Sequence, residues 1–327
     1  WGNQAACQGG SFAVESVAAF AWNGWQASSG ISGNLGLEYA SQIFFDPREL
    51  KQGNYLQFET ALRSDSGTSY ELEEWIGRGG NASVFRCSER TSGKEVAIKF
   101  LLQPGYKSAK RFLREIQLLK SIRSDHITTY HGSGRVLAEH KKSKRKVKIP
   151  FIVMELADCN LQELMRSAAQ PISYEKYSGQ FRGLASALAD LHGKAVHRDI
   201  KPENILITGE RWLLSDYGLC TFVAPGEEDL TGERQNVGPK FWLSPEAHNR
   251  RLGHADCIDA ASDVFQLASI FWYVATGRHP SGIVSEEDWR GPTRLFEILH
   301  RALLHDTRKR PQNGSEFLAE LEGALNV

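Results

Sequence analysis

The chain has 327 residues, 41% hydrophobic and 24% charged, ordinary for a folded globular protein, so collagen-like and wholly disordered classes are excluded. Lys plus Arg (39) balance Asp plus Glu (39), and no global field that would gather nucleic acid or an anionic membrane is expected. No apolar run approaches the roughly 18–20 residues of a membrane span.

The five cysteines, Cys7, Cys87, Cys159, Cys220 and Cys257, are widely spaced and form no CxxC. They read as reduced thiols of a cytoplasmic protein, not as a disulfide framework or zinc site. No basic region followed by an apolar core marks a signal peptide. The chain opens on Trp1, which is expected of a processed or engineered fragment.

From Trp1 to about Phe45 the only charges are Glu15 and Glu38, while Gly, Ser, Ala and aromatics dominate. Residues 1–65 therefore read as an extension of unassigned fold, a cap on the rest or a partner-binding piece; aromatics are too frequent for disorder. The run Arg63–Ser69 reads as a linker. Strands are predicted within Trp75–Arg86 and over Glu95–Leu101, with Thr91–Lys94 as a turn. A helix follows, with Phe112, Ile116 and Leu119 on one face. Two strands flank the basic run Lys141–Lys148, which reads as a solvated hairpin tip. Beyond Leu156 the pattern turns helical. Tyr177, Phe181, Leu184, Leu188 and Leu191 share a face up to a stop at Gly193, and Val264–Val274 is apolar all round, as a buried central helix requires. A β-rich part followed by a larger helical part is an α+β, two-lobed plan.

Five groups of residues carry chemistry. Gly77-Arg78-Gly79-Gly80-Asn81-Ala82-Ser83-Val84 is a glycine-rich turn between strands, where backbone N–H groups can approach phosphate oxygens. Lys99 ends an apolar strand. Glu115 sits on the apolar face of the first helix, where a carboxylate needs a partner, and Lys99 is the candidate. His197-Arg198-Asp199-Ile200-Lys201-Pro202-Glu203-Asn204 is a dense polar loop anchored by the strand Ile205–Ile207. Asp216-Tyr217-Gly218 places an acid at the end of a buried strand beside a glycine, a good position for a divalent-cation ligand.

In this order, and with Ser244-Pro245-Glu246 after them, these motifs closely resemble the eukaryotic-type (Hanks-type) protein kinases from about Tyr70 to Leu325. The resemblance implies the bilobal kinase fold, with a small β-rich N-lobe over residues 70–156 and a larger helical C-lobe over 157–327. It implies ATP as a cofactor, with magnesium, or manganese in its place. Gly77, Gly79 and Ala82 match the three loop glycines, Ala82 being a departure that should weaken the grip on phosphate. Lys99 would hold the phosphates and Glu115 would pair with it. Asp199 would be the catalytic base, Lys201 would steady the transferring group, and Asn204 and Asp216 would hold metal. Met154, with Glu155 to Ala157 as the hinge, would border the adenine, and Val84, Ala97 and Leu206 would sandwich it. Glu246 would pair with Arg310, and Asp263 is the buried acid of the central helix.

Lys201 points to Ser/Thr acceptors, whereas Pro239 is closer to the tyrosine-kinase pattern; Lys201 is given the greater weight because it acts in the chemistry. Tyr217 replaces the usual Phe and adds a hydroxyl that needs a partner. Arg198 suggests control by the activation loop, with Thr221 and Thr231 as phosphosites or Glu227, Glu228 and Asp229 as permanent charge. A protein substrate is expected, and self-association or partner binding through residues 1–65. The rival readings are a nucleotide-binding scaffold without catalysis, a tyrosine or dual-specificity kinase, and a small-molecule phosphotransferase.

Overall fold

The structure, a computed structural model, describes residues 56–58, 61–79, 82–101, 106–140, 144, 146–168, 172–223 and 241–325. Most of the N-terminal extension, Thr231, Glu227 to Asp229, Pro239 and most of the basic run at 141–145 lie outside the described residues.

The first part is a seven-stranded antiparallel sheet. Its strands are β1 (Leu56–Phe58), β2 (Ala61–Arg63), β3 (Ser69–Gly79), β4 (Ala82–Glu89), β5 (Glu95–Leu101), β6 (Tyr130–His140) and β7 (Lys146–Glu155), in the order β1-β6-β7-β5-β4-β3-β2. The two edge strands, β1 and β2, are consecutive in the chain with only residues 59 and 60 between them. The chain from Leu56 to Arg63 thus pairs with β6 on one side and β3 on the other, and closes the sheet into a barrel. Alternation along the strands fills it: Leu62, Tyr70, Phe85, Cys87, Val96, Ile98, Phe100, Val136, Ala138, Ile149, Phe151 and Val153 form one buried cluster. The closing segment lies so close to β6 that a Cβ on Gly134 would stand 2.9 Å from the Arg63 carbonyl oxygen and 2.6 Å from the Phe151 ring. Only glycine fits that crossing.

This corrects the linker expected at Arg63–Ser69. Gly67, at φ 91, donates its N–H to the Ser64 carbonyl, and Ser64 donates to that of Thr68, each at 2.9 Å. The Asp65 N–H reaches Ser133 O at 2.8 Å. Small polar residues compose a tight turn as readily as a linker, and the three-residue strand before them is too short to show a period.

Helix α1 (Tyr106–Ser121) packs between β5 and β6 and the second part. That part holds α2 (Leu161–Ser167), α3 (Tyr174–His192), α4 (Pro245–Arg251), α5 (Ala260–Thr276), α6 (Thr293–Ala302) and α7 (Gly314–Leu325). Short strands lie between them: β8 (Cys159–Asn160), β9 (Ala195–Val196), β10 (Ile205–Thr208), β11 (Arg211–Leu214) and β12 (Thr221–Phe222). β11, β10 and β8 make one small sheet, and β12 and β9 another. α5 is the axis, with Val264, Ala268, Ile270, Phe271 and Val274 fully buried. Phe181 of α3 stacks on Phe271 at 3.8 Å, and Phe317 of α7 lies 6.0 Å beyond. Among the described residues no helix is long and apolar enough to cross a membrane.

Candidate active site

The strand β5 sorts its side chains by face. Val96, Ile98 and Phe100 enter the barrel, so Ala97 and Lys99 point the other way, toward the second part. Lys99 Nζ donates to Glu115 Oε1 at 2.7 Å and Oε2 at 3.0 Å, and to Asp216 Oδ1 at 2.9 Å. Burial works against the Lys99 ammonium, but the two carboxylates outweigh it and raise its pKa. Asp216 is held down to about 2, chiefly by Lys99. Glu115 is raised, because burial on the apolar face of α1 exceeds what Lys99 gives back.

The polar loop between β9 and β10 is fixed from below by α5. Asp263, fully buried, accepts the N–H of His197 at 2.6 Å and of Arg198 at 2.8 Å. These bonds hold Arg198 at φ 70, a left-handed backbone that a non-glycine residue adopts only when its surroundings impose it. His197 accepts the Asp199 N–H at Nδ1 and donates from Nε2 to Ser215 O at 3.1 Å; Ser215 O can only accept, which settles the ring's roles. Asp199 Oδ2 receives Lys201 Nζ at 2.8 Å and Asn204 Nδ2 at 3.0 Å. Asp199 is raised by burial, with Lys201 opposing.

Two polar supports, Gln266 and His192, escaped the sequence reading, and a third, Glu155, was expected only as part of the hinge. Gln266 of α5 accepts the Ile200 N–H at 3.2 Å and donates to Trp242 O at 3.1 Å, joining the polar loop to the segment after it. His192 at the end of α3 bonds Asp263 Oδ2 at 3.1 Å and accepts the Gly314 N–H at 2.9 Å. Glu155 accepts the Thr129 N–H at 2.7 Å and Arg211 Nη2 at 3.0 Å, tying the end of β7 to β11. A polar residue within the apolar run Val264–Val274 was the available signal for Gln266; His192 carried none.

Of the remaining expected residues, Ala97 pairs with Met154, Val84 with Lys99, and Leu206 with Leu213 and Asn160. Ala157 follows β7 by two residues. Ala82 pairs with Gly79 across the glycine-rich turn, whose centre, Gly80 and Asn81, lies outside the described residues. A Cβ on Gly77 would meet no atom within 4 Å. Thr221 accepts a bond from Arg198 Nη1 at 2.6 Å. Arg310 forms a bidentate pair with Glu246, at 2.9 and 3.0 Å, both side chains being buried. Burial would raise Glu246, and Arg310 more than offsets it, leaving it below the usual range.

No group of three or more His, Cys, Asp or Glu residues that could hold a metal occurs among the described residues. Asp216 with the amide oxygen of Asn204 suits a hard cation shared with phosphate oxygens, the arrangement magnesium takes in phosphoryl transfer.

The geometry agrees with the comparisons. The protein kinase domain family matches residues 70–322, and the chain belongs to that family. Its members use ATP and a divalent cation and act on proteins. The chain is 27% identical to a probable serine/threonine-protein kinase of Streptomyces coelicolor, over 80% of this chain and 40% of that protein. It is 32% identical to the serine/threonine-protein kinase/endoribonuclease IRE2 of Homo sapiens, over 65% of this chain and 22% of that protein. It is 28% identical to the serine/threonine-protein kinase PknB of Mycobacterium tuberculosis, over 78% and 42%. The chain thus spans less than half the length of these curated relatives.

Proposed function

We propose that this chain is a catalytically competent protein kinase that moves the γ-phosphoryl group of ATP to Ser or Thr hydroxyls of proteins. The observation that carries the reading is the completeness of two connected sets, Lys99 with Glu115 and Asp216, and Asp199 with Lys201 and Asn204.

In this reading Lys99, fixed by Glu115, holds the α- and β-phosphates. Asp216 and Asn204 hold magnesium, which neutralises phosphate charge. Asp199 orients the acceptor hydroxyl and takes its proton. Lys201, already on Asp199, steadies the transferring group. The backbone of Glu155 to Ala157 pairs with adenine, with Met154 beside it and Val84, Ala97 and Leu206 on its faces. Lys201 favours a Ser/Thr acceptor, as do the names of the relatives.

The kinase lobes are 70–156 and 157–327, with the first extended back to Leu56 by the closing strands. Thr221, bonded by Arg198, is a candidate phosphosite, and phosphate there would keep an Arg partner; Thr231, the other candidate, lies outside the described residues. Four unpaired cysteines, Cys87, Cys159, Cys220 and Cys257, suit the cytoplasm. The extension before Leu56 is a candidate for partner binding or self-association.

The test is incubation with ATP and magnesium, followed by mass spectrometry of the chain and of an added acceptor protein. Phosphoserine or phosphothreonine is expected. Predominant phosphotyrosine would reverse the acceptor assignment, and absence of transfer, with nucleotide still bound, would leave the scaffold reading in its place.

A further inference from the structure

Tyr217 stands where the kinase motif usually has Phe, and its extra hydroxyl has found a partner. The ring is 2% exposed, and the hydroxyl donates to the Leu214 carbonyl oxygen at 2.6 Å. Leu214 ends β11, so the bond ties the residue after Asp216 back to the strand before it. The ring face lies 5.2 Å from that of His197.

Asp216 lies between these anchors, and it needs holding. Its φ is 61, left-handed for a residue with a Cβ, and its side chain is 39% exposed, so packing alone does not fix it. Gly218 beyond it supplies no side-chain anchor. Of the contacts around Asp216, the ion pair to Lys99 acts on the carboxylate itself, whereas the Tyr217 hydroxyl acts on the backbone that carries it. The same Leu214 oxygen accepts the Thr128 backbone N–H at 3.0 Å, which holds the acceptor in place, and the Thr128 Oγ1 at 3.1 Å, which adds to it without being needed.

We propose that the Tyr217 hydroxyl is a positioning group: by closing the turn Leu214–Tyr217 it keeps the Asp216 carboxylate aimed at the cation position and at Lys99. A Phe packs equally well but lets the turn open. The proposal deepens the kinase reading and rests on it for the cation's role.

The experiment is Tyr217→Phe in the full chain. Phosphoryl transfer is measured against magnesium concentration at saturating ATP, and manganese binding is measured by electron paramagnetic resonance with a non-hydrolysable ATP analogue. A net hydrogen bond of ordinary strength corresponds to a factor of about 2 to 10. The half-saturating magnesium and the manganese dissociation constant should both rise by that factor, while kcat at saturating metal changes less than about twofold. Thr128→Val removes another donor from the same oxygen without touching Tyr217, and should leave the metal dependence alone. Unchanged metal dependence in Tyr217→Phe, or an equal shift in Thr128→Val, overturns the proposal. If the unaltered chain transfers no phosphate, the kinase reading fails, and the manganese measurement still decides whether Tyr217 positions Asp216.

Discussion

The two parts of the molecule build their cores differently. The barrel core is a cluster of strand residues closed off by Leu62 and shared with no helix. The helical part has a larger cluster that does not stop at the lobe boundary: Ala109, Phe112, Leu118, Leu119 and Ile122 in and after α1 belong to it, as do Leu101 of β5 and Ile152 of β7. By packing, α1 goes with the helices, although it lies between two strands of the barrel in the chain. Lys99 stands on the barrel wall and Glu115 on α1, so the 2.7 Å bond between them is a polar bridge from one core to the other.

Lesions in the helical part should stop chemistry, and lesions in the barrel should loosen nucleotide and stability. The largest effect is expected for Asp199→Asn. In the proposed mechanism Asp199 serves the acceptor and not the nucleotide, so kcat should fall by roughly 10²–10⁴ while ATP affinity, measured by calorimetry, stays within about twofold. Equal turnover in the variant would remove the assigned base.

Next come two lesions of similar size, one in each core. Arg310→Met breaks a buried bidentate pair and strands Glu246, costing about 3–5 kcal/mol. Leu62→Ala opens a cavity under the closing segment and costs about 2–5 kcal/mol. If the cores are as separate as their packing implies, calorimetry of Leu62→Ala should show a low-temperature transition split from the main one. Arg310→Met should lower the main transition, taking α1 with it. A single shared transition in both variants would mean that the bridge couples the cores more tightly than their contacts suggest.

Much of this was legible because the chemical groups come in short contiguous runs. Lys99, Asp199, Lys201, Asn204 and Asp216 each sit inside a string whose neighbours fix its meaning. Glu115 had no such string; the need of a carboxylate on an apolar face for a partner pointed to Lys99. The closing strands were not legible. β1 and β2 have three residues each, and what makes them strands is register with Ala138–His140 and Ser69–Glu71, contacts remote in the sequence or hidden behind an apparent linker. His192 failed for a related reason. At the end of a helix it reads as a polar stop, yet its side chain is 4% exposed, wedged between Asp263 and the N–H of Gly314 far along the chain.

The smallest expected effect concerns the bridge itself and its response to acid. Asp216 is depressed to about 2, first by Lys99. A carboxylate whose folded value lies below its unfolded value of about 3.9 adds stability above that value and loses it as pH falls through the folded one. Glu115 goes the other way: burial raises it, so its charged form is a cost, relieved when it takes up a proton. The two carboxylates around Lys99 therefore oppose each other as pH falls, and only the Asp216 contribution has the stabilising sign. Its partial exposure screens that contribution, so the change in melting temperature will be modest. Melting temperatures of the unaltered chain and of Asp216→Asn should differ most near neutrality. The gap should begin to close below about pH 5 and continue to close toward pH 2. A gap that widened on acidification would assign the depressed carboxylate to Glu115 instead, and the barrel-to-α1 bond would then be the stronger arm of the bridge.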